Sequence, residues 1–249
     1  LFFMCSWNAL NDIYDFEIDL VNRPDRPLPS GRISLNHAKI ATAITMISSI
    51  LSIALCYWLI SGSNPVEGFE VSDWYPSLAI WIIALILLIN YEFPFGLRLK
   101  DKGLPGNISI SISVGLVVVF GASAVFEPFS EKAWSLFFVG IFYNTSREII
   151  KDVQDMEGDK GRNTLAMRIG SENARTVAWV MSILALASVL LPFAIGIFTP
   201  LHVVLVIPAV MTLMMVKGRI IIGEDAAASS LLKKSMLLCL AALLTSSLI

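Results

Sequence analysis

Hydrophobic positions run through this chain in long, nearly unbroken stretches, with the polar and charged residues gathered between them. Apolar runs of about 17–25 residues are long enough to cross a bilayer as helices. Such runs occur near 38–60, 76–93, 107–126, 133–150, 173–197, 200–216 and 232–249. The opening stretch, Leu1–Leu10, is apolar but too short to cross, and it has neither an initiator Met nor the charged start of a signal peptide. It reads as the end of a helix whose earlier part precedes this numbering. No stretch rich in Gly, Ser or charge divides the chain. The expectation is therefore a single domain over 1–249, N-terminally incomplete: an all-α, multi-span transmembrane helical bundle whose short connections make neighbours antiparallel.

The punctuation between runs is specific. Pro24, Pro27 and Pro29 remove backbone donors and restrict the residues before them, so the segment 22–31 cannot continue a helix. Ser34 then reads as the N-cap of the next span, and Ser171, after Gly170, as the N-cap of a later one. The connection 61–75 holds Gly, Pro and acids ahead of Trp74 and Tyr75, which reads as a solvated loop with an interfacial aromatic anchor.

Composition agrees with a membrane protein. The 249 residues are 56% hydrophobic and 15% charged, with mean hydropathy +0.74, against about 25% charged in soluble domains. A net charge of −2 offers no basic stripe for a nucleic-acid partner. Cys5, Cys56 and Cys239 are scattered through apolar runs, which fits buried thiols better than a disulfide framework or a zinc site. Lys and Arg fix orientation. Threading the runs alternately places all of the 18 basic residues except Lys132 on one side, the cytoplasmic one. Glu67, Glu70, Asp73, Glu127 and Glu131 collect opposite.

Against this background, two acidic clusters stand out. Asp12, Asp15 and Asp19 recur at offsets 0, 3 and 7, and so do Asp152, Asp155 and Asp159. On a helix those offsets share a face. Each cluster ends an apolar run, is followed by a basic polar loop, and falls on the cytoplasmic side, a weak internal repeat suggesting two equivalent arms closing on one site. Unit charges about 6 Å apart repel by roughly 2.8 kcal/mol at an effective dielectric near 20, so such packing calls for cations. One acidic cluster at a membrane surface is commonly solvated and inert; two of matching spacing on one side are harder to explain so. Carboxylates without accompanying His or Cys select Mg²⁺ or Mn²⁺ over zinc or copper. The spacing excludes an EF-hand, whose ligands alternate around an obligatory Gly. Arg23 and Arg26 follow the first cluster; Arg147 and Lys151 precede the second, Lys160 and Arg162 follow it, and Lys100 lies in a cytoplasmic loop between. Arg and Lys suit phosphate oxygens, although each taken singly also serves as a topology marker. His37 and His202 are isolated and fit packing or interfacial roles. Ser109, Ser111 and Ser113, with Gly106 and Gly115, would let helices approach closely or would line a cavity.

The first cluster and its tail, N-D-x-x-D-x-x-x-D then N-R-P-x-R-P-L-P-S-G, resemble the first signature of the UbiA-type intramembrane prenyltransferases. D-x-x-D-x-x-G-D, from Asp152 to Asp159, is similar to their second. The resemblance covers essentially the whole chain. It implies nine transmembrane helices around a central cavity in the full protein, the first missing here and the second partial, with both motifs on the cytoplasmic cap. It also implies Asn11, Asp12, Asp15, Asp19, Asp152, Asp155 and Asp159 as metal ligands, and Lys100 as a diphosphate-binding residue. Tyr91 lies further from Lys100 than in the short Tyr–Lys pattern of some relatives.

Within that superfamily, N-R-P-D-R-P-L-P-S-G-R-I-S, R-E-I-I-K-D and G-R-N-T-L most resemble the archaeal-type enzymes acting on geranylgeranylglyceryl phosphate. The implied reaction is Mg²⁺-dependent transfer of a geranylgeranyl group from its diphosphate to that acceptor's hydroxyl. It makes the second ether bond of isoprenoid membrane lipids, with two or more Mg²⁺ ions bridging the diphosphate. Asp15, Asp19, Asp155, Asp159 and Lys100 would be catalytic, and Arg23, Arg26, Lys100, Arg147, Lys151 and Arg162 would bind substrate. The partners would be a prenyl diphosphate, a lipid-like phosphate-bearing acceptor and membrane lipids. An aromatic or chlorin acceptor is the alternative within the fold. An ion-coupled transporter is the rival from another class, disfavoured because the carboxylates gather at one surface and not at the bilayer midplane.

Overall fold

The structure is a computed structural model that describes residues 1–62 and 70–249. Ten α-helices form, and no strand is present among the described residues: α1 (Phe2–Tyr14), α2 (Phe16–Asn22), α3 (Leu35–Ser61), α4 (Tyr75–Glu92), α5 (Leu104–Ala124), α6 (Glu131–Gln154), α7 (Leu165–Ile169), α8 (Ser171–Ala194), α9 (Ile207–Ile221) and α10 (Asp225–Leu248). Short 3-10 turns at Val71–Trp74, Leu99–Asp101 and Pro200–Val206 lead into α4, α5 and α9. The chain separates into two compact units, Leu1–Ile82 and Ile83–Ile249, with the boundary inside α4.

In the first unit, α1 buries Phe3, Ser6 and Trp7, at the i, i+3, i+4 spacing of one helical face, and packs on α3. Ser6 Oγ donates to the Thr42 carbonyl (3.1 Å), and Trp81 Nε1 donates to Ser49 Oγ (3.2 Å). Ser34 caps α3 as its position implies, its side chain accepting from the His37 N–H. Most apolar side chains of α3 face outward, among them Ile40, Ile44, Leu51, Leu55 and Trp58. That is the surface a lipid-facing span presents. The expected loop over 61–75 lies partly outside the described residues. Within them, Glu70 and Asp73 form a capping box, and Trp74 is buried with its ring 5.6 Å from that of Tyr57. Trp74 therefore serves packing, while Tyr75 is exposed.

The second unit is organised around α6, which packs against α5, α8 and α10. Its core includes Val139, Tyr143, Ile149 and Ile150 of α6, with Ala178 and Ala185 of α8 and Leu232 and Leu243 of α10. Among the described residues of the whole chain, six helical segments are long and apolar enough to cross a membrane. The expected run at 133–150, in α6, is not among them. Asn144, Arg147 and Glu148 lower its hydropathy, and a helix enclosed by neighbours can keep polar groups that a lipid-facing one cannot. The last expected run began too late, because Ser229, Ser230, Lys233 and Lys234 break the apolar count while α10 already starts at Asp225. The expected N-cap at Ser171 is displaced by one residue: Gly170 takes that position at φ 82°, a conformation glycine adopts freely.

Candidate active site

Both acidic motifs are built alike, each within its own unit. The first helix of each ends on the middle Asp, at φ −91°, ψ 9° for Asp15 and φ −94°, ψ 6° for Asp155. The middle Asp still donates its backbone N–H four residues back, to Asn11 O and to Lys151 O, both at 2.8 Å. Its carbonyl then accepts from the last Asp of the motif, Asp19 at 2.7 Å and Asp159 at 3.1 Å. That last Asp is buried in each case, with 5% exposure at Asp19 and 3% at Asp159. An Arg from the following loop holds it: Arg26 Nη1 lies 2.6 Å from Asp19 Oδ2, and Arg162 Nη1 lies 3.1 Å from Asp159 Oδ1. A straight helix through each cluster is thus corrected to a helix with a one-residue break at Asp15, and to a helix end followed by a turn at Asp155.

In the first motif, Asp12 Oδ1 and Asp19 Oδ2 meet the same Arg26 Nη1, at 3.1 and 2.6 Å. Asn11 Nδ2 donates to Asp15 Oδ2 at 2.7 Å. The proline-rich loop returns Arg26 to the cluster, with Ser30 Oγ bonded to Arg26 O at 2.6 Å and Arg32 bonded to the Asp25 carbonyl. Burial raises the Asp12 carboxyl above its ordinary value; Arg26 opposes this, and Asp19 and Asp15 add to it.

In the second motif, Asp152, past the apolar part of α6, is pushed up to about 7, chiefly by burial, with the Asn107 hydrogen bond opposing. Asn107 Nδ2 reaches Asp152 Oδ2 at 3.0 Å. Glu148 takes both neighbouring cations, Arg147 at 3.1 Å and Lys151 at 2.8 Å. Lys100 is buried and paired with Glu92. Arg162 also donates through Nε to Asp101 Oδ1 at 2.9 Å, so the turn carrying Lys100 is tied to the second motif. Arg168 adds a bond to the Lys102 carbonyl at 3.3 Å.

Glu92, Asp101, Asn107 and Glu148 were missed by sequence reasoning. Glu92 and Glu148 had a signal, being acids at the end of, or inside, apolar runs. Asp101 and Asn107 had none, since their partners lie 61 and 45 residues away. Among the described residues, no three or more His, Cys, Asp or Glu gather closely enough to hold an ion by themselves. The donors present are nonetheless all hard oxygens, and Mg²⁺ asks for only one or two carboxylates beside water and phosphate. The residues fit that ion.

The Arg162 bridge leads to a first expected result. Arg162→Ala removes the guanidinium shared by Asp101 and Asp159, so the Lys100 turn loosens and activity falls by roughly tenfold. Arg162→Lys restores little, because an ammonium lacks the two-pronged donor. Steady-state rates and melting in detergent check this; wild-type values for both in Arg162→Ala would count against the bridge.

The likeness to known proteins follows the same lines. The UbiA prenyltransferase family profile matches residues 1–240. Digeranylgeranylglyceryl phosphate synthase of Methanopyrus kandleri is 35% identical over 246 residues, covering 97% of this chain and 82% of that protein. The protein of the same name from Methanosarcina mazei is 35% identical over 202 residues, covering 80% of this chain and 62% of its own length. A solved structure of digeranylgeranylglyceryl phosphate synthase aligns with TM-score 0.66 and 28% identity, over 98% of this chain and 81% of that one. With its helical architecture and both acidic motifs in place, the chain belongs to the UbiA prenyltransferase family.

Proposed function

We propose that this protein transfers a geranylgeranyl group from geranylgeranyl diphosphate to the hydroxyl of geranylgeranylglyceryl phosphate, forming the second ether bond of an archaeal-type lipid. The observation that carries this reading is the likeness, over nearly the whole chain, to a protein named digeranylgeranylglyceryl phosphate synthase. Residues 1–249 act as one prenyltransferase domain, a reading supported by a family match that takes in both units. The enzyme works in the cell membrane with its acidic motifs on the cytoplasmic side, as the distribution of Lys and Arg supports.

Asn11, Asp12, Asp15 and Asp19, and separately Asp152, Asp155 and Asp159, are the proposed Mg²⁺ ligands. Bound Mg²⁺ would neutralise the charge that builds on the departing diphosphate. The chain's own cations add to this. Arg23, Arg26, Lys100 and Lys151 bind diphosphate oxygens, releasing Asp or Glu partners where they now have them, and Arg147 and Arg162 serve the acceptor's phosphate. The allylic carbon–oxygen bond breaks with its electron pair going to diphosphate, the acceptor oxygen bonds to that carbon, and the hydroxyl proton leaves. Buried apolar surroundings keep water from capturing the allylic cation.

The test is incubation of the purified protein with prenyl diphosphates of several lengths and with phosphate-bearing or aromatic acceptors, with and without Mg²⁺. The expected outcome is diphosphate release and a doubly prenylated glyceryl phosphate only when Mg²⁺ is present. Prenylation of an aromatic acceptor alone would overturn the acceptor assignment.

A further inference from the structure

Between α5 and α6 of the second unit runs a ladder of small and polar residues spaced by four or eight positions. Asn107, Ser111 and Gly115 lie on α5; Gly140, Asn144 and Asp152 lie on α6. Gly115 and Gly140 bring the backbones together: a Cβ on Gly140 would lie 3.6 Å from Gly115 Cα, and one on Gly115 would lie 2.9 Å from the Phe137 carbonyl. Higher on the ladder, Asn144 Nδ2 donates to Ser111 Oγ at 3.1 Å, and Ser111 Oγ donates to Asn107 O at 2.6 Å. At its end Asn107 Nδ2 meets Asp152 Oδ2 at 3.0 Å.

Asn107, Ser111 and Asn144 are all buried, and Asn107 differs in that its Oδ1 is buried without a partner. A buried amide kept for packing alone normally uses both ends. Here one end is spent on an acidic-motif carboxylate, and the other has no hydrogen-bond partner. The neighbouring residue Gly106 packs directly on Leu99 and Lys100, so the first turn of α5 sets the Lys100 turn and Asp152 in one register.

From this juxtaposition we infer that Asn107 is a positioning residue of the second acidic motif, holding the Asp152 carboxylate in the orientation that receives the cation. The inference rests on the proposed Mg²⁺ role of that motif. Partners that orient a ligating carboxylate set metal affinity without touching the metal, commonly by about 10–100-fold.

The experiment compares Asn107→Ala, Asn107→Ser, Ser111→Ala, Asp152→Ala and the Asn107→Ala/Asp152→Ala pair in the purified full chain. It reads the Mg²⁺ concentration for half-maximal rate, melting in detergent, and Mn²⁺ binding by electron paramagnetic resonance with inorganic diphosphate. Asn107→Ala should raise the Mg²⁺ requirement and weaken Mn²⁺ by roughly tenfold. Asn107→Ser, which keeps a donor, should recover part of this and supplies a folded variant if the alanine form is lost on extraction. Ser111→Ala, in the same helix contact, should leave the metal response unchanged. In the paired variant Asn107→Ala should add nothing to Asp152→Ala, which a merely structural role would not produce. An unaltered Mg²⁺ response in Asn107→Ala and Asn107→Ser, with Asp152→Ala impaired, overturns the positioning role alone. Wild-type metal binding in Asp152→Ala overturns the motif's metal role and this inference with it.

Discussion

Asp155→Ala should stop prenyl transfer, lowering the rate by at least about 10²–10³-fold, while the purified protein remains folded. The substitution removes the carboxylate and leaves the helix end at Asp155 its backbone bonds. Its backbone N–H bonds to Lys151 O and its carbonyl accepts from Gly158 and Asp159. Alanine keeps all of those bonds and tolerates φ −94°, ψ 6°. Asp15→Ala should also stop transfer: its backbone bonds to Asn11 and Asp19 are retained, and the bond from Asn11 Nδ2 to its carboxylate is lost. Asp155→Asn and Asp15→Asn, which keep the shape and lose the charge, should be nearly as inactive if the carboxylates answer to a divalent ion. Rates, melting in detergent and Mg²⁺ titration settle the matter. Undiminished transfer in either alanine variant would reject that Asp as part of the site.

How far the sequence could lead depended on the distance over which each interaction acts. Helix existence was legible, since the seven apolar runs fall on α3, α4, α5, α6, α8, α9 and α10. The acidic spacing was legible as well, being local. The helix ends at Asp15 and Asp155 were not, because offsets 0, 3 and 7 fit a continuous helix equally well; no Pro or Gly stands near Asp15, and Gly158 follows Asp155 only three residues on. The proline-rich loop announced a turn but not that the turn would carry Arg26 back onto Asp12 and Asp19. Basic residues proposed as phosphate clamps turned out to hold acids: Lys100 with Glu92, Arg147 and Lys151 with Glu148, and Arg162 with Asp101 and Asp159. These pairings compensate charge at low polarity, where an unpaired ion is expensive. They make the cations available to phosphate only by exchange of one anion for another. Side-chain ties between distant segments carry no periodic trace, which is why Asn107 and Asp101 emerged only from the fold.

Gly106→Ala should be the most damaging change available outside the acidic motifs. A Cβ at that position would lie 2.2 Å from Leu99 O, 3.0 Å from Leu99 C and 3.3 Å from Lys100 Cα, all backbone atoms that cannot rotate away. The turn Leu99–Asp101 must therefore lift from the start of α5. Lys100 would move with it out of its buried pairing with Glu92, and Asp101 away from Arg162. Overpacking of this kind costs about 1–3 kcal/mol when the surroundings can yield, and here they are main chain, which favours the upper end. Activity should fall by more than the stability loss alone would produce, since the residue displaced is a proposed diphosphate ligand. Gly121→Ala provides the contrast. It lies on the same helix with nothing within 4 Å of its added methyl group, so only the higher helix propensity of alanine acts, a gain of up to about 1 kcal/mol. Melting and rate measured side by side should therefore move in opposite directions for stability, with activity lost at position 106 and kept at position 121. Equal behaviour of the two variants would mean that the Lys100 turn does not depend on its contact with α5.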